Sequence, residues 1–295
     1  MQSVLNPQGP DAAIIAEISW VLFGGGVIIF TAVMALAAYA ILGRIRGVSE
    51  KLLIVGGGIV FPLVTLSALL VYSLARAAAL HPVDPAPLRI EVVGEQWWWR
   101  VHYLDVDGRR DFATANEIRV PAGRAVELHL KSADVIHSIW VPALAGKLDM
   151  IPGRTNILRV RADRAGEFRG QCAEYCGGPH ALMALHVVSL EPDAFARWAE
   201  RQRQSSPKEN PLFVAYCGAC HTVRGTAAAG TRGPDLTHVG GRLFIGAGLL
   251  PNNAGALAGW IASSQHLKPG NLMPSFEHFT GEELRGLAAY LESLK

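Results

Sequence analysis

Cys172-Ala-Glu174-Tyr-Cys176-Gly-Gly-Pro-His180-Ala-Leu-Met183 puts two thiols, an imidazole and a thioether into one short loop. Upstream, Val135-Ile-His137-Ser138 offers a second imidazole. Thiolate and thioether favour copper, and imidazole completes a copper set. Zinc also accepts Cys and His in four-coordinate structural sites. Met183, however, is a poor zinc ligand, and His137 is one ligand more than such a site needs. Five candidate side chains that include two cysteines suit a pair of coppers. Each thiolate can bridge both metals, each metal takes one histidine, and weak axial ligands finish the set. Sharing an unpaired electron over two metals changes bond lengths little, which suits electron transfer, whereas zinc has no redox chemistry.

The rest of the chain holds this loop or moves electrons to and from it. Its 295 residues leave room for two or three modules. A net charge of +2 gives no sign of a nucleic-acid partner. The four cysteines form two tight pairs, Cys172/Cys176 and Cys217/Cys220. Each pair is followed closely by histidine, which a disulfide framework does not require.

The apolar excess lies at the N-terminal end. Residues 1–13 are polar, with Pro7, Gly9 and Pro10, and lack the basic start of a signal peptide. Ile18–Leu42 and Leu52–Leu74 are apolar all round, and each can span a bilayer, which takes roughly 20 residues. Arg44, Arg46 and Lys51 between them place the connector in the cytoplasm. Both termini then face outward, and Gly24–Gly26 and Gly56–Gly58 permit close helix approach.

Residues 81–88, His-Pro-Val-Asp-Pro-Ala-Pro-Leu, read as a linker. Beyond it the period changes to two. Leu88–Val93, Trp97–Tyr103, Glu117–Val120, Ala125–Lys131, Asn156–Val160 and Ala184–Leu190 read as strands of a β-sandwich or small barrel. Residues 191–204 look helical, and Ser205-Ser206-Pro207 breaks the pattern. Helices follow at Pro211–Tyr216, Gly255–Ser263 and Gly281–Leu294, the last with a core stripe of Leu284, Leu287, Leu291 and Leu294.

Cys217-Gly-Ala-Cys220-His221 is the attachment signature of a c-type haem. Two thioethers tether the porphyrin, and the adjacent histidine is placed as the proximal iron ligand. Gly233-Pro234 and Lys268-Pro-Gly270-Asn271-Leu-Met273-Pro274 follow in order. That order resembles class I cytochromes c over about residues 208–295. The resemblance implies Met273 as sixth ligand and Pro234 as acceptor of the hydrogen bond that fixes His221. His238, His266 and His278 lack such context and read as surface or structural.

A second resemblance covers roughly residues 14–195. It rests on Gly94-Glu-Gln96-Trp97-Trp98-Trp99, on Val135 through Pro142, on Lys147 through Arg154, on Gly170 through His180, and on the two-helix hairpin. These resemble subunit II of haem–copper cytochrome c oxidases. The family implies a cupredoxin-like Greek-key barrel holding binuclear copper A. Its ligands would be His137, Cys172, Cys176, His180, Met183 and the backbone carbonyl of Glu174. The Glu174 side chain would face a magnesium site shared with subunit I. Trp97 matches the tryptophan at the surface where electrons arrive. Two of the rings of Trp97–Trp99 are expected buried or toward the membrane partner, and one near the copper loop. Asp149 and Arg154 match a network at the subunit I contact, and Glu50 stands near the mouth of a proton path. The proline that the family carries shortly after that glutamate is replaced here by Gly56–Gly58.

The expected architecture is therefore multidomain. A transmembrane hairpin (1–84, helices about 18–42 and 52–74) precedes an all-β copper domain (85–195), a linker (196–207) and an all-α cytochrome c domain (208–295). The implied route runs from an external donor, a cytochrome c or a quinol:cytochrome c reductase, through haem c and copper A to subunit I. Subunit III and membrane lipid are further expected partners, in a bacterial cytoplasmic membrane with the metal domains periplasmic. No histidine lies in the apolar runs, so oxygen reduction falls to the partner. Arg100, Arg109 and Arg110 weaken the acidic docking surface that a soluble basic cytochrome would use. The alternatives are a copper A subunit of a nitric oxide reductase and a stand-alone membrane-anchored electron carrier. A quinol oxidase subunit would lack the cysteines.

Overall fold

The computed structural model describes residues 3–43, 49–80 and 88–295. Arg44 and Arg46, which set the expected topology, and most of the 81–88 linker lie outside the described residues. The chain forms two compact units, one of Asp11–Asp84 and one of Met1–Pro10 with Pro85–Lys295.

In the first unit, α1 spans Pro10–Ile41. It starts a full two turns before the expected Ile18, because Pro10 and Asp11 suit a first helical turn where a free N–H and a positive dipole end are available. A π-helical stretch, Leu52–Val60, runs into α2, Phe61–Ala77. The expected second span is thus helical but wider-wound over Gly56–Gly58, where no side chains oppose a bulge. Both helices are long and apolar enough to cross a membrane. Glu17 of α1 accepts from Tyr72 at 2.9 Å and pairs with Arg76, joining the start of α1 to the end of α2.

The second unit opens with two five-stranded sheets. One orders β3 (Arg110–Ala115), β2 (Trp98–Leu104), β1 (Leu88–Glu95), β5 (Val126–Ser132) and β8 (Asn156–Val160). The other orders β4 (Glu117–Pro121), β10 (Ala184–Leu190), β9 (Gly166–Cys172), β6 (His137–Trp140) and β7 (Leu148–Met150). β1 pairs parallel with β5 and β4 with β10, so the chain crosses between distant strands rather than meandering. Alternate residues turn inward. Ile90, Val92, Leu128 and Leu130 meet Ile118, Ile139, Leu185 and Val187 in one buried core.

Helix α3, Pro192–Arg203, packs on this sandwich. Trp198 packs edge-on against the stacked pair of Tyr103 and Phe112, and Arg119 covers its ring. Residues 196–203, read as part of a linker, are therefore packed helix, because an aromatic ring on a charged segment found apolar cover. The helical remainder comprises α4 (Pro211–Tyr216), α5 (Ala254–Leu267), α6 (Gly281–Ser293) and the short pair β11 (Phe244–Ile245) and β12 (Leu250–Pro251). Asn210, Asn253 and Thr280 cap the three helices, the last in a reciprocal box with Glu283. Leu287, Leu291 and Leu294 are buried and Leu284 packs partly against them, in a core separate from that of the sandwich.

Candidate redox centres

The sandwich brings the cysteine loop together with His137. β9 ends at Cys172 and β10 begins at Ala184, so the loop is the turn of a long hairpin. It is closed by Cys172 N–H donating to the Met183 carbonyl at 2.9 Å. β6 pairs beside β9 with Ile139 opposite Cys172, which brings His137 over the loop. Four distances define the cluster. Cys172 Sγ lies 3.8 Å from His137 Nδ1 and 3.8 Å from Cys176 Sγ. Cys176 Sγ lies 3.5 Å from His180 Nδ1 and 3.9 Å from Met183 Sδ. The Glu174 carbonyl is 3.3 Å from Cys172 Sγ. Both thiols are free, and a metal forming ~2.3 Å bonds to sulfur can reach both. His137, Cys172 and Cys176 are grouped closely enough to hold a metal ion.

The electrostatics split the thiols. Burial opposes ionisation at Cys172, but the His137 imidazole and the Glu174 and Ser138 backbone overcome it and lower its pKa. Burial and the neighbouring Cys172 push Cys176 up. One thiol of the pair thus ionises well before the other. Burial lowers the pKa of His137, yet Cys172 and Asp134 outweigh it and raise it.

Asp134 was not singled out in the sequence. Its Oδ1 lies 2.8 Å from His137 Nε2 and accepts from Val135 N–H, while Oδ2 accepts from Gln96 N–H at 2.7 Å. That leaves Nδ1 of His137 to face the sulfurs. Trp99 is fully buried, its ring 6.2 Å from that of His137. The Trp97 indole N–H donates to the Cys176 carbonyl at 2.9 Å, and Gln96 donates to the same oxygen at 2.7 Å. Gly177, at φ +115°, is required here, since a Cβ would stand 2.9 Å from the Trp97 ring.

The helical part holds a cavity of about 560 Å³. Cys217, Cys220, His221, Pro234 and Met273 all line it. His221 Nδ1–H donates to the Pro234 carbonyl at 2.9 Å, leaving Nε2 unused by that bond. Burial holds His221 below its ordinary pKa, although Pro234 opposes, so the neutral imidazole is favoured. The Met273 carbonyl accepts from Ser264 at 2.9 Å and Gln265 at 2.7 Å, and its N–H donates to Asn271 at 2.8 Å. Gly233 lies against His221, where a Cβ would come within 2.5 Å of the ring.

The cavity also brings in three residues whose place was not read from the sequence, Trp98, Arg242 and Lys268. Trp98 and the buried Arg242 line it beside Trp97. The third is Lys268, only 2 % exposed. Burial pulls its pKa down to about 7, with the Cys176 sulfur opposing, while three carbonyl acceptors favour the charged form.

The structure does not draw the remaining expected residues of the sandwich, Asp149 and Arg154, into the cluster. Lys147 Nζ lies 3.4 Å from the half-exposed Glu174 carboxylate and 3.8 Å from Asp149. Arg154 and Glu50 are exposed. Arg100 pairs with Glu95 at 2.5 Å and Arg110 with Glu91 at 2.6 Å.

The sequence matches two families. Residues 104–190 match the family described as cytochrome C oxidase subunit II, periplasmic domain, and residues 210–295 match cytochrome c. A cytochrome c oxidase subunit 2 of Alkalihalophilus pseudofirmus is 37% identical over 253 residues, covering 80% of this chain and 71% of that one. One of Bacillus sp. PS3 is 31% identical over 250 residues, covering 78% and 69%. A solved periplasmic domain of subunit II of cytochrome oxidase from Bradyrhizobium japonicum is 34% identical. It covers 41% of this chain and 97% of its own, with a TM-score of 0.39.

Proposed function

Because the chain belongs to the cytochrome c oxidase subunit II family, we propose that it carries electrons from an external donor through haem c and binuclear copper A to subunit I. Subunit I, in this reading, reduces oxygen to water and couples that to proton translocation. Bound in the two sites, copper and haem supply one-electron chemistry that no side chain here provides.

The residues fit both groups. His137, Cys172, Cys176, His180, Met183 and the Glu174 carbonyl form a soft donor set around two adjacent sulfurs. Asp134 holds His137 in the tautomer that presents Nδ1. Cys217 and Cys220 would carry the thioether links, His221 and Met273 would hold the iron, and Pro234 would orient His221. Arg242 supplies a buried cation suited to the porphyrin carboxylates.

The single observation that carries this reading is Trp97. Its indole N–H holds the Cys176 carbonyl while the residue also lines the haem-sized cavity. The two centres are neighbours within one packed unit, as a donor and acceptor of electrons must be.

The membrane hairpin would dock subunit I and subunit III in a bacterial cytoplasmic membrane, with the redox sites periplasmic. Gln8, on the N-terminal side of α1, pairs its backbone with Ala143 and Asp163 of the β-sandwich. That supports an outward N-terminus. Glu174, half-exposed beside its inward-facing carbonyl, would help complete a magnesium site with subunit I. Asp149 and Arg154 would meet the same partner, and Glu50 would stand at the mouth of a proton path. A cytochrome c or a quinol:cytochrome c reductase would serve as donor.

Purifying the complex from membranes and recording optical and electron paramagnetic resonance spectra tests the proposal. A mixed-valence two-copper signal with a low-spin haem c is expected. A mononuclear copper signal, or no copper, would overturn it.

A further inference from the structure

The helical part is fastened to the sandwich by a set of hydrogen bonds, most of them to backbone groups, and by a ring stack. Leu243 N–H donates to Glu117 at 2.8 Å, Arg119 to the Gly241 carbonyl at 2.7 Å, and Arg100 to the Thr231 carbonyl at 3.0 Å. Ala184 N–H, next to Met183, donates to the Ala247 carbonyl at 3.0 Å, and His186 stacks on Phe244 at 4.1 Å. At the centre of this seam stands Lys268.

Lys268 Nζ donates to the carbonyls of Trp97 at 2.6 Å, Leu182 at 2.8 Å and Gly246 at 3.2 Å. An ammonium has three protons, and here each finds one acceptor. Among the described residues no carboxylate pairs with it. A buried cation without a counter-ion is costly, so its acceptors must be well placed for it to be tolerated. They come from three segments. Trp97 holds the Cys176 carbonyl, Leu182 precedes Met183 in the cysteine loop, and Gly246 belongs to the helical part. These three oxygens converge only when the two parts dock in one register.

The other end of Lys268 leads toward the haem cavity. Asn271 donates to the Lys268 carbonyl at 2.8 Å, and the Asn271 side-chain oxygen accepts from Met273 N–H at 2.8 Å. A continuous strut therefore runs from Met273 through Asn271 and Lys268 to Leu182, beside Met183.

We propose that Lys268 is a positioning residue that locks the haem-bearing part onto the copper loop and so sets the rate of electron transfer between them. The proposal rests on the function proposed above. It makes the haem-bearing part a fixed component of the electron path rather than a swinging carrier. In the step concerned, one electron leaves ferrous haem c, which becomes ferric, and reduces the oxidised copper pair; no proton moves.

The test uses the assembled oxidase with Lys268→Met, which keeps the length and removes the charge and all three donors. Two measurements are made, flash-initiated transfer from haem c to copper and hydrogen exchange over 182–186 and 244–250. Loss of bonds to a charged group predicts a transfer rate about tenfold lower and exchange faster in both segments, while haem and copper spectra stay as in the wild type. Lys268→Arg, which restores charge and donors, should recover part of the rate. If Lys268→Met fails to retain copper, Lys268→Arg decides alone, because a planar guanidinium cannot converge on three carbonyls and should still slow transfer. A variant that loses only thermal stability while transferring electrons at the wild-type rate overturns the proposal. Absence of haem c or the two-copper signal in the wild type would instead defeat the underlying function.

Discussion

Asp134 shows how much one side chain outside the donor set can govern. Its carboxylate touches the far nitrogen of His137, the N–H of Gln96 and the N–H of Val135, so it fixes a candidate ligand and the start of the tryptophan segment together. A histidine whose far nitrogen is held by a carboxylate is both oriented and more basic. Asp134→Ala is therefore expected to weaken copper retention by about 10- to 100-fold in chelator competition, with Cys172 and Cys176 untouched. Wild-type retention would show that packing against Trp99 is enough to orient the ring. Four of the five candidate side-chain donors were legible in the sequence because they lie in one loop and their chemistry marks them, whereas the Glu174 carbonyl entered only through the family resemblance. Asp134 was not legible, since an aspartate three residues before a histidine has many ordinary uses.

At the level of strands, Glu91 has the corresponding role. It sits on β1, nearly buried, and accepts from Arg110 of β3 and Lys131 of β5, both at 2.6 Å. The charges thereby bind three strands of one sheet. Burial works to raise the Glu91 pKa, but bonds from Lys131 and Arg110 outweigh it and lower it. A carboxyl with a depressed folded pKa contributes stability above its unfolded value, lost as pH falls through the folded value. Glu91→Gln should cost about 1 kcal/mol near neutral pH, discounted because both partners are half-exposed. In denaturant titrations that difference should vanish below the usual carboxylate range; a cost independent of pH would mean the loss is packing. Element by element, the period-two strands were readable, but β3, β6, β7 and β9 were not. β7 has only three residues, β9 carries two glycines, and β3 opens with exposed Arg110-Asp111. β6 is a strand whose residues read first as metal-site chemistry. The π-helical winding before α2 leaves no periodic mark either, because Leu52–Val60 is apolar on every side.

Across the whole chain, two separate hydrophobic cores meet along a seam of hydrogen bonds. Sequence pattern located both cores, since each has its own periodicity. It could not locate the seam, because backbone carbonyls at Trp97, Leu182 and Gly246 carry no side-chain signature. The separation of cores has a consequence for a shortened chain. One ending at Gln204 keeps α3 and Trp198, and with them the full sandwich core. It should fold, retain the copper spectrum and lose haem c. What it also loses is a donor held in place, whose effective concentration is at least the roughly millimolar value of a flexible tether. Oxygen consumption driven by a micromolar soluble cytochrome should then fall about 100-fold against the full chain and climb back as that donor approaches millimolar. Undiminished turnover at micromolar donor would mean that the fixed haem-bearing part gives no advantage over a diffusing one. In the full chain Trp97 and Trp98 stand in the cavity wall and the helical part covers them, so such a donor gains that surface only once the chain is shortened.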